Sequence, residues 1–167
     1  MSAKYVFIGY LSSLLSELVD CVGPENTLLM HERIPNRSEK IISMAHSLNV
    51  TRMQVDDINS DQRAFDAFAK AKIVFVGAFS QIFKKNLINS TDAHLINFHP
   101  SLLPLYRGAN PIEAQILDGV NDIDLSWHRI STKIDAGEIL RNAKFPLYEN
   151  DDYQTVLKKA VNRGAIL

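Results

Sequence analysis

KIVFV, residues 72–76, is one short apolar run near the middle of the chain. Ile73, Val74, Phe75 and Val76 follow one another without a polar interruption, so in an extended chain, where successive side chains point to opposite faces, both faces are apolar. A strand with one wet face alternates, whereas a parallel strand covered by helices on both sides reads as a continuous apolar run. The sequence before it repeats one pattern. Residues 5–9 form a short apolar run closed by Gly9, and Leu11, Leu14, Leu15, Leu18, Val19 and Val22 then recur at helical spacing. A second run at 27–30 leads into a helix at 38–48, with Ser38 as N-cap and Ile41, Ile42, Met44 and Ala45 as its buried stripe. A weaker strand at 50–55 and a helix at 60–69 complete the series.

On the other side, residues 81–87 predict a short helix and 94–98 a fifth strand. A helix at 112–117 is opened by Pro111 and closed by Asp118 and Gly119, two further strands follow at 123–130 and 138–145, and a last helix spans 153–167. Strands alternating with helices predict an α/β protein: a Rossmann-like, doubly wound, mostly parallel sheet with helices on both faces, as a single domain over residues 1–167. The last helix is still running at Leu167, so the chain is either trimmed or ends flush there.

Composition narrows the function classes. With 18 Lys and Arg against 19 Asp and Glu, evenly spread, the chain offers no basic stripe for nucleic acid and no polybasic segment for an anionic membrane. No apolar run reaches the length of a membrane span. The start MSAKYVFIGYLSSLL imitates a signal peptide, but Glu17 and Asp20 follow and no small-residue cleavage site is evident. Cys21 is the single cysteine, and no Cys/His spacing suits a structural metal, so a reducing, cytoplasmic setting and no metal are expected.

The fifth strand runs into INFHPSLLPLYRGANP, residues 96–111, and in open α/β sheets ligands bind beyond the carboxyl ends of strands. On an extended segment Asn97 and His99 point to the same face. An amide donor beside an imidazole can hold a developing oxyanion, and the imidazole can pass a proton, which is what acyl transfer through a tetrahedral intermediate needs. A paired Asn and His at a strand end also occurs without chemistry, and no carboxylate lies nearby to set the imidazole's charge. Ser101 lacks the glycines of a nucleophile elbow. His94 and His99 would point to opposite faces and cannot share a metal. His128 alternates with Trp127 and reads as a structural strand residue, and Asp135 alone reads as a loop aspartate before a glycine turn.

The run Asn97-x-His99-x-Ser101-Leu102-Leu103-Pro104-x-Tyr106-Arg107-Gly108, followed by Asp135-Ala136-Gly137, resembles the formyltransferase catalytic domain, whose members use N10-formyltetrahydrofolate. The resemblance is carried by residues 72–145 and is only topological before them. It implies the formyltransferase fold, a catalytic set of Asn97, His99 and Asp135, and no covalent enzyme intermediate. In that reading Asn97 and protonated His99 stabilise the oxyanion, while Asp135 raises the His99 pKa and helps take the amine's proton. The resemblance also implies that the folate is held largely by backbone groups at Phe79, Gln81, Ile82 and Phe83, and at Ser131, Thr132, Lys133 and Ile134. For the loop that walls the site, Ser101, Leu103, Tyr106, Arg107 and Gly108 are the candidates for contact with the acceptor. Arg107 either reaches for a carboxylate or phosphate or braces the loop.

The resemblance is nearest the branch that formylates amines on nucleotide-linked sugars, through YRGANP and KIDAGEIL, so a small-molecule primary amine of that kind is the expected acceptor. Glycinamide ribonucleotide is less expected, because the segment after the first strand, Gly9 to Ser13, has one glycine where those enzymes carry a glycine-rich phosphate loop. Transfer RNA is least expected, since enzymes acting on it carry a further C-terminal domain and a basic surface that this stretch lacks. An amino acid or hydroxylamine acceptor, a formyltetrahydrofolate hydrolase and a noncatalytic folate-binding protein are the remaining readings. A homodimer is compatible with all of them.

Overall fold

The apolar run at 72–76 becomes β4 (Ile73–Gly77), which pairs in parallel with β1 (Tyr5–Gly9), Phe7 lying opposite Phe75. This computed structural model describes residues 3–165, in two compact units that meet in sequence between Ile96 and Asn97. In the first unit β2 (Thr27–His31) is parallel to β1, and β3 (Thr51–Gln54) is parallel to β2, in the order β3-β2-β1-β4. β2 is buried along its whole length, as its sequence TLLMH requires. The unit's helices are α1 (Ser12–Val22), α2 (Arg37–Ser47), α3 (Gln62–Lys70) and the short α4 (Lys85–Ile88). Ile8, Leu15, Leu29, Ile41, Phe68 and Val74 are fully buried among these elements, and each such side chain contributes roughly 1.5–3 kcal/mol.

Two local differences from the sequence reading have clear causes. α2 starts before Ser38, which is no N-cap: its hydroxyl accepts from Ile34 N at 2.7 Å and donates to Glu32 O at 2.8 Å, and the helix is entered through Asn36 in the left-handed region. Residues 81–84, expected to be helical, are irregular because side chains elsewhere in the unit hold their backbone. At the end of β1, Gly9 (φ +122°) admits no side chain, since a Cβ there would lie 2.0 Å from Gly77 O. That close approach lets Tyr10 N donate to Gly77 O at 3.0 Å.

The boundary between the units falls inside β5 (His94–His99). The second unit continues with α5 (Pro111–Leu117), β6 (Asp122–Arg129), β7 (Ile139–Pro146) and α6 (Tyr153–Ala165). The strand order there is β5-β6-β7, with β6 and β7 antiparallel and a bulge between Trp127 and His128. α6 buries Val156, Ala160 and Val161. Its glycine, Gly164, lies against Phe98, whose ring stands 5.1 Å from that of Trp127, and the Trp127 indole N–H donates to Gly164 O at 3.1 Å. The seven strands and their helices form the doubly wound, mostly parallel α/β architecture that the sequence predicts. No helix among the described residues is long and apolar enough to cross a membrane. The end of the last predicted helix, Ile166 and Leu167, lies outside the described residues.

Candidate active site

Asn97 and His99 end β5, two residues apart, and β6 supplies a partner, His128, which in the sequence reads only as a structural strand residue. His128 is 2% exposed, and its Nε2 lies 3.1 Å from Asn97 Nδ2. His128 Nδ1 lies 2.8 Å from Arg129 O, a carbonyl that can only accept, so Nδ1 carries a proton. In the neutral ring Nε2 is then an acceptor, and Asn97 presents its NH2 end to it. His128 thereby fixes which way the Asn97 amide faces. The clue in the sequence was alternation: Ser126 and His128 share one face of β6 and both are buried, so this strand carries a polar side.

The loop between β6 and β7 brings in Asp135. Its Oδ2 lies 3.8 Å from His99 Nδ1 and its Oδ1 3.5 Å from His128 Nε2, both longer than a good hydrogen bond. The short contacts to Asp135 come from the proline-punctuated loop: Gly108 N donates to Oδ2 and Arg107 Nε donates to the backbone oxygen, each at 2.9 Å. Arg107 therefore braces the loop with one donor while its side chain remains exposed. Asp135 has φ +46° and Tyr106 φ +55°, so two non-glycine residues in the left-handed region flank this junction. Desolvation pushes the Asp135 pKa up, but the interactions with His128, the Gly108 N–H and His99 together outweigh it and hold the carboxyl below its ordinary value.

His99 is 4% exposed, and its Nε2 lies 2.9 Å from Tyr106 O, so that nitrogen carries the proton and Nδ1 presents a lone pair toward Asp135. Desolvation lowers the His99 pKa and prevails over the Tyr106 carbonyl and the Asp135 charge, both of which raise it. This direction favours the neutral ring over the protonated one expected from the sequence, and Asp135 only limits the depression. The unfolded chain takes up this proton first, so the contribution of His99 to stability is full above its unfolded value of about 6.5 and is lost as pH falls below it. Asp135 has the usual carboxylate sign, its contribution persisting until the pH falls through its lowered folded value.

Other expected contacts divide. Ser101 is fully buried and donates to Leu105 O at 2.9 Å, while its own carbonyl accepts from the Ser126 hydroxyl. Leu103 is 4% exposed. These two side chains, expected to meet an acceptor, lie inside the loop and build it from there. The Tyr106 hydroxyl donates to Asp118 Oδ2 at 2.9 Å, and Gly108 contributes its N–H to Asp135. Ser131 forms a turn with Lys133, and Thr132, Lys133 and Ile134 are exposed just before Asp135. In the first unit Phe83 is buried, Phe79 is half-buried, Ile82 is exposed, and the Gln81 side chain is turned onto Ile58 N and Asp56 O. Among the described residues no cluster of three or more His, Cys, Asp or Glu is arranged to hold a metal ion.

The sequence model described as formyl transferase matches residues 30–165 of the chain. The chain belongs to the formyl transferase family. A methionyl-tRNA formyltransferase of Wolbachia sp. subsp. Drosophila simulans is 35% identical over 109 residues, covering 65% of this chain and 36% of the relative. The chain thus spans little more than a third of that relative's length, so the absence of a further domain from these 167 residues does not bear on the acceptor. Among solved structures, the phosphoribosylglycinamide formyltransferase of Streptococcus pneumoniae TIGR4 superposes with a TM-score of 0.82 at 16% identity, covering 99% of this chain and 93% of that one. The sugar 3N-formyltransferase WlaRD, solved with dTDP and 5-N-formyl-THF, gives 0.78 at 21% identity, over 99% of this chain and 60% of that one. Both structural likenesses establish the family's fold.

Proposed function

We propose that the chain transfers the formyl group of N10-formyltetrahydrofolate to a primary amine of a small molecule, an amino sugar linked to a nucleotide. The observation that carries the reading is the pair His99 Nδ1 and Asp135 Oδ2, two acceptors 3.8 Å apart, the carboxylate oxygen being held by the Gly108 N–H. A primary amine fits that arrangement, since it can donate one N–H to each. As the amine nitrogen bonds to the formyl carbon, His99 Nδ1 takes the proton the amine loses, and Asp135 stabilises the imidazolium so formed. The second N–H of Asn97, whose first faces His128, is the donor for the developing oxyanion. When the bond to the folate nitrogen breaks, His99 returns the proton to that nitrogen, and the ring is neutral again.

The acid limb of the reaction tests these protonation states. The rate should be level near neutrality and fall toward acid with a midpoint below the ordinary imidazole value of about 6.5. In Asp135→Asn that midpoint should move lower still, because a charge that favours the imidazolium is gone. A pH–rate profile reads both, and a wild-type midpoint above 7 would refute the neutral base.

The amino-sugar reading draws support from the near-neutral charge of the chain, the single glycine after β1 and the likeness to WlaRD. Identity to methionyl-tRNA formyltransferases favours a second reading, with charged initiator tRNA as acceptor. The protein would be incubated with N10-formyltetrahydrofolate and, separately, with nucleotide amino sugars, glycinamide ribonucleotide, amino acids and methionyl-tRNA. A one-formyl mass gain in the sugar pool is the expected outcome; a gain in another pool reassigns the acceptor, and free formate without any acceptor makes the protein a hydrolase.

A further inference from the structure

Residues 78–84, between β4 and α4, have no regular secondary structure, yet side chains from separate segments of the first unit fix them at both ends. Glu32, just past β2, is 7% exposed. Its Oε1 accepts from the Ser80 hydroxyl at 2.5 Å, and its Oε2 accepts from Ser80 N at 3.2 Å and from the Tyr10 hydroxyl at 3.4 Å. Burial and then the charge of Glu32 push the Tyr10 phenol up to about 12, so it stays a donor across the physiological range. At the far end Asn59 Nδ2 donates to Ile82 O at 3.1 Å while Oδ1 accepts from Lys84 N at 2.7 Å. Gln81 is turned inward, its Oε1 accepting from Ile58 N at 2.8 Å and its Nε2 donating to Asp56 O at 3.0 Å. Phe83 packs inside, against Phe68 and Phe79.

A surface loop of this length needs no buried carboxylate to close it, and a carboxylate is retained in such a place only when several donors satisfy it. What these bonds set is the direction of the loop's backbone at the carboxyl end of β4, the position where open α/β sheets bind ligands. The loop's outward features are the exposed Ile82 and the half-buried Phe79, an apolar surface suited to a flat ring.

We propose that Glu32 and Asn59 are positioning residues for the folate, acting through the backbone of residues 79–83, which they hold in its binding geometry before the ligand arrives. The proposal rests on the reading of the chain as a folate-dependent formyl transferase. Glu32 converts the folded position of β2 into the placement of Ser80, 48 residues away in sequence, and Asn59 does the same for Ile82 and Lys84. Preorganisation of this kind appears as ligand affinity, because a loop left free must be ordered by the ligand at the ligand's expense.

The test is calorimetric binding of 5-formyltetrahydrofolate, a stable folate that needs no acceptor, with Tm recorded for every variant. Glu32→Gln, Ser80→Ala and Asn59→Ala should each raise Kd about tenfold at a temperature where all are folded. Ser80→Thr, which keeps the hydroxyl, should restore affinity. Ile41→Val, in the buried face of α2, should lower Tm and leave Kd unchanged. If Glu32→Gln does not fold, Ser80→Ala carries the test, since Ser80 is exposed and approaches the same carboxylate from the loop side. Unchanged Kd in Ser80→Ala and Asn59→Ala beside a wild type that binds would overturn the positioning role alone. A wild type that fails to bind the folate would overturn the functional reading on which it stands.

Discussion

Replacing His99 by Ala, or Asp135 by Asn, should lower the turnover of formyl transfer by about 10²–10⁴-fold while leaving folate affinity within a few-fold of wild type. The neighbouring imidazole, His128, is poorly placed to stand in for His99 Nδ1: its centroid lies 6.2 Å away and its Nε2 faces Asn97. Asp135→Asn keeps the size of the side chain and removes the charge, leaving the buried imidazole without its counter-charge at the moment it takes the proton. The measurement is kcat under saturating donor and acceptor, beside calorimetric binding of the folate. The pair should be strongly non-additive, the double variant being little slower than the worse single one, because in the proposed mechanism both residues serve one proton transfer. Turnover within tenfold of wild type in both single variants would sink the mechanism.

The largest effect on the fold itself is expected at a residue with no side chain. A Cβ on Gly137 would stand 1.8 Å from Arg129 O, and the obstacle is backbone held in place by Arg129 N donating to Glu138 O at 2.8 Å. Gly137→Ala must therefore part the start of β7 from the end of β6, which should cost about 4 kcal/mol or more and lower Tm by about 10 °C or more. Gly119→Ala is the control in the same unit: φ is +65° but nothing lies within 4 Å, so only the left-handed penalty of about 1–2 kcal/mol is expected. Thermal unfolding of the two variants side by side separates them, and equal Tm values would show that the β6–β7 junction yields easily. Because Asp135 sits two residues before Gly137, the same clash should also reduce turnover in whatever Gly137→Ala protein folds.

The order of strands and helices was legible because parallel strands under helices must be apolar on both faces, which KIVFV and TLLM display openly. Asn97 and His99 could be paired by strand periodicity alone. Asp135 could not, since nothing in the local sequence distinguishes it from any aspartate before a turn, and only likeness to a family drew it in. His128 is hidden in the sequence by Trp127, its neighbour on the opposite face, and its role shows only beside Ser126, its buried companion on the same face. The bulge between Trp127 and His128 is likewise a property of the β6–β7 pairing and not of either strand. The burial of Ser101 and Leu103, candidates for contact with the acceptor, is not legible in the motif, which gives order along the chain and not direction. Residues 81–84 resemble a helix in composition, but Asn59 offers their backbone another set of partners, and that choice depends on a segment far away in sequence.

The left-handed backbone of Asp135 has a consequence for how such a protein changes over generations. With φ at +46°, the position accommodates aspartate, asparagine and glycine far better than other residues. Aspartate codons lie a single base change from those for asparagine and glycine. The mutations easiest to reach and easiest for the backbone to accept are therefore the ones that delete the carboxylate while sparing the loop. Glutamate, which would keep the charge, meets the backbone penalty and carries an extra methylene. Lineages freed from selection for catalysis should accordingly accumulate folded, silent copies at this position before they accumulate misfolded ones.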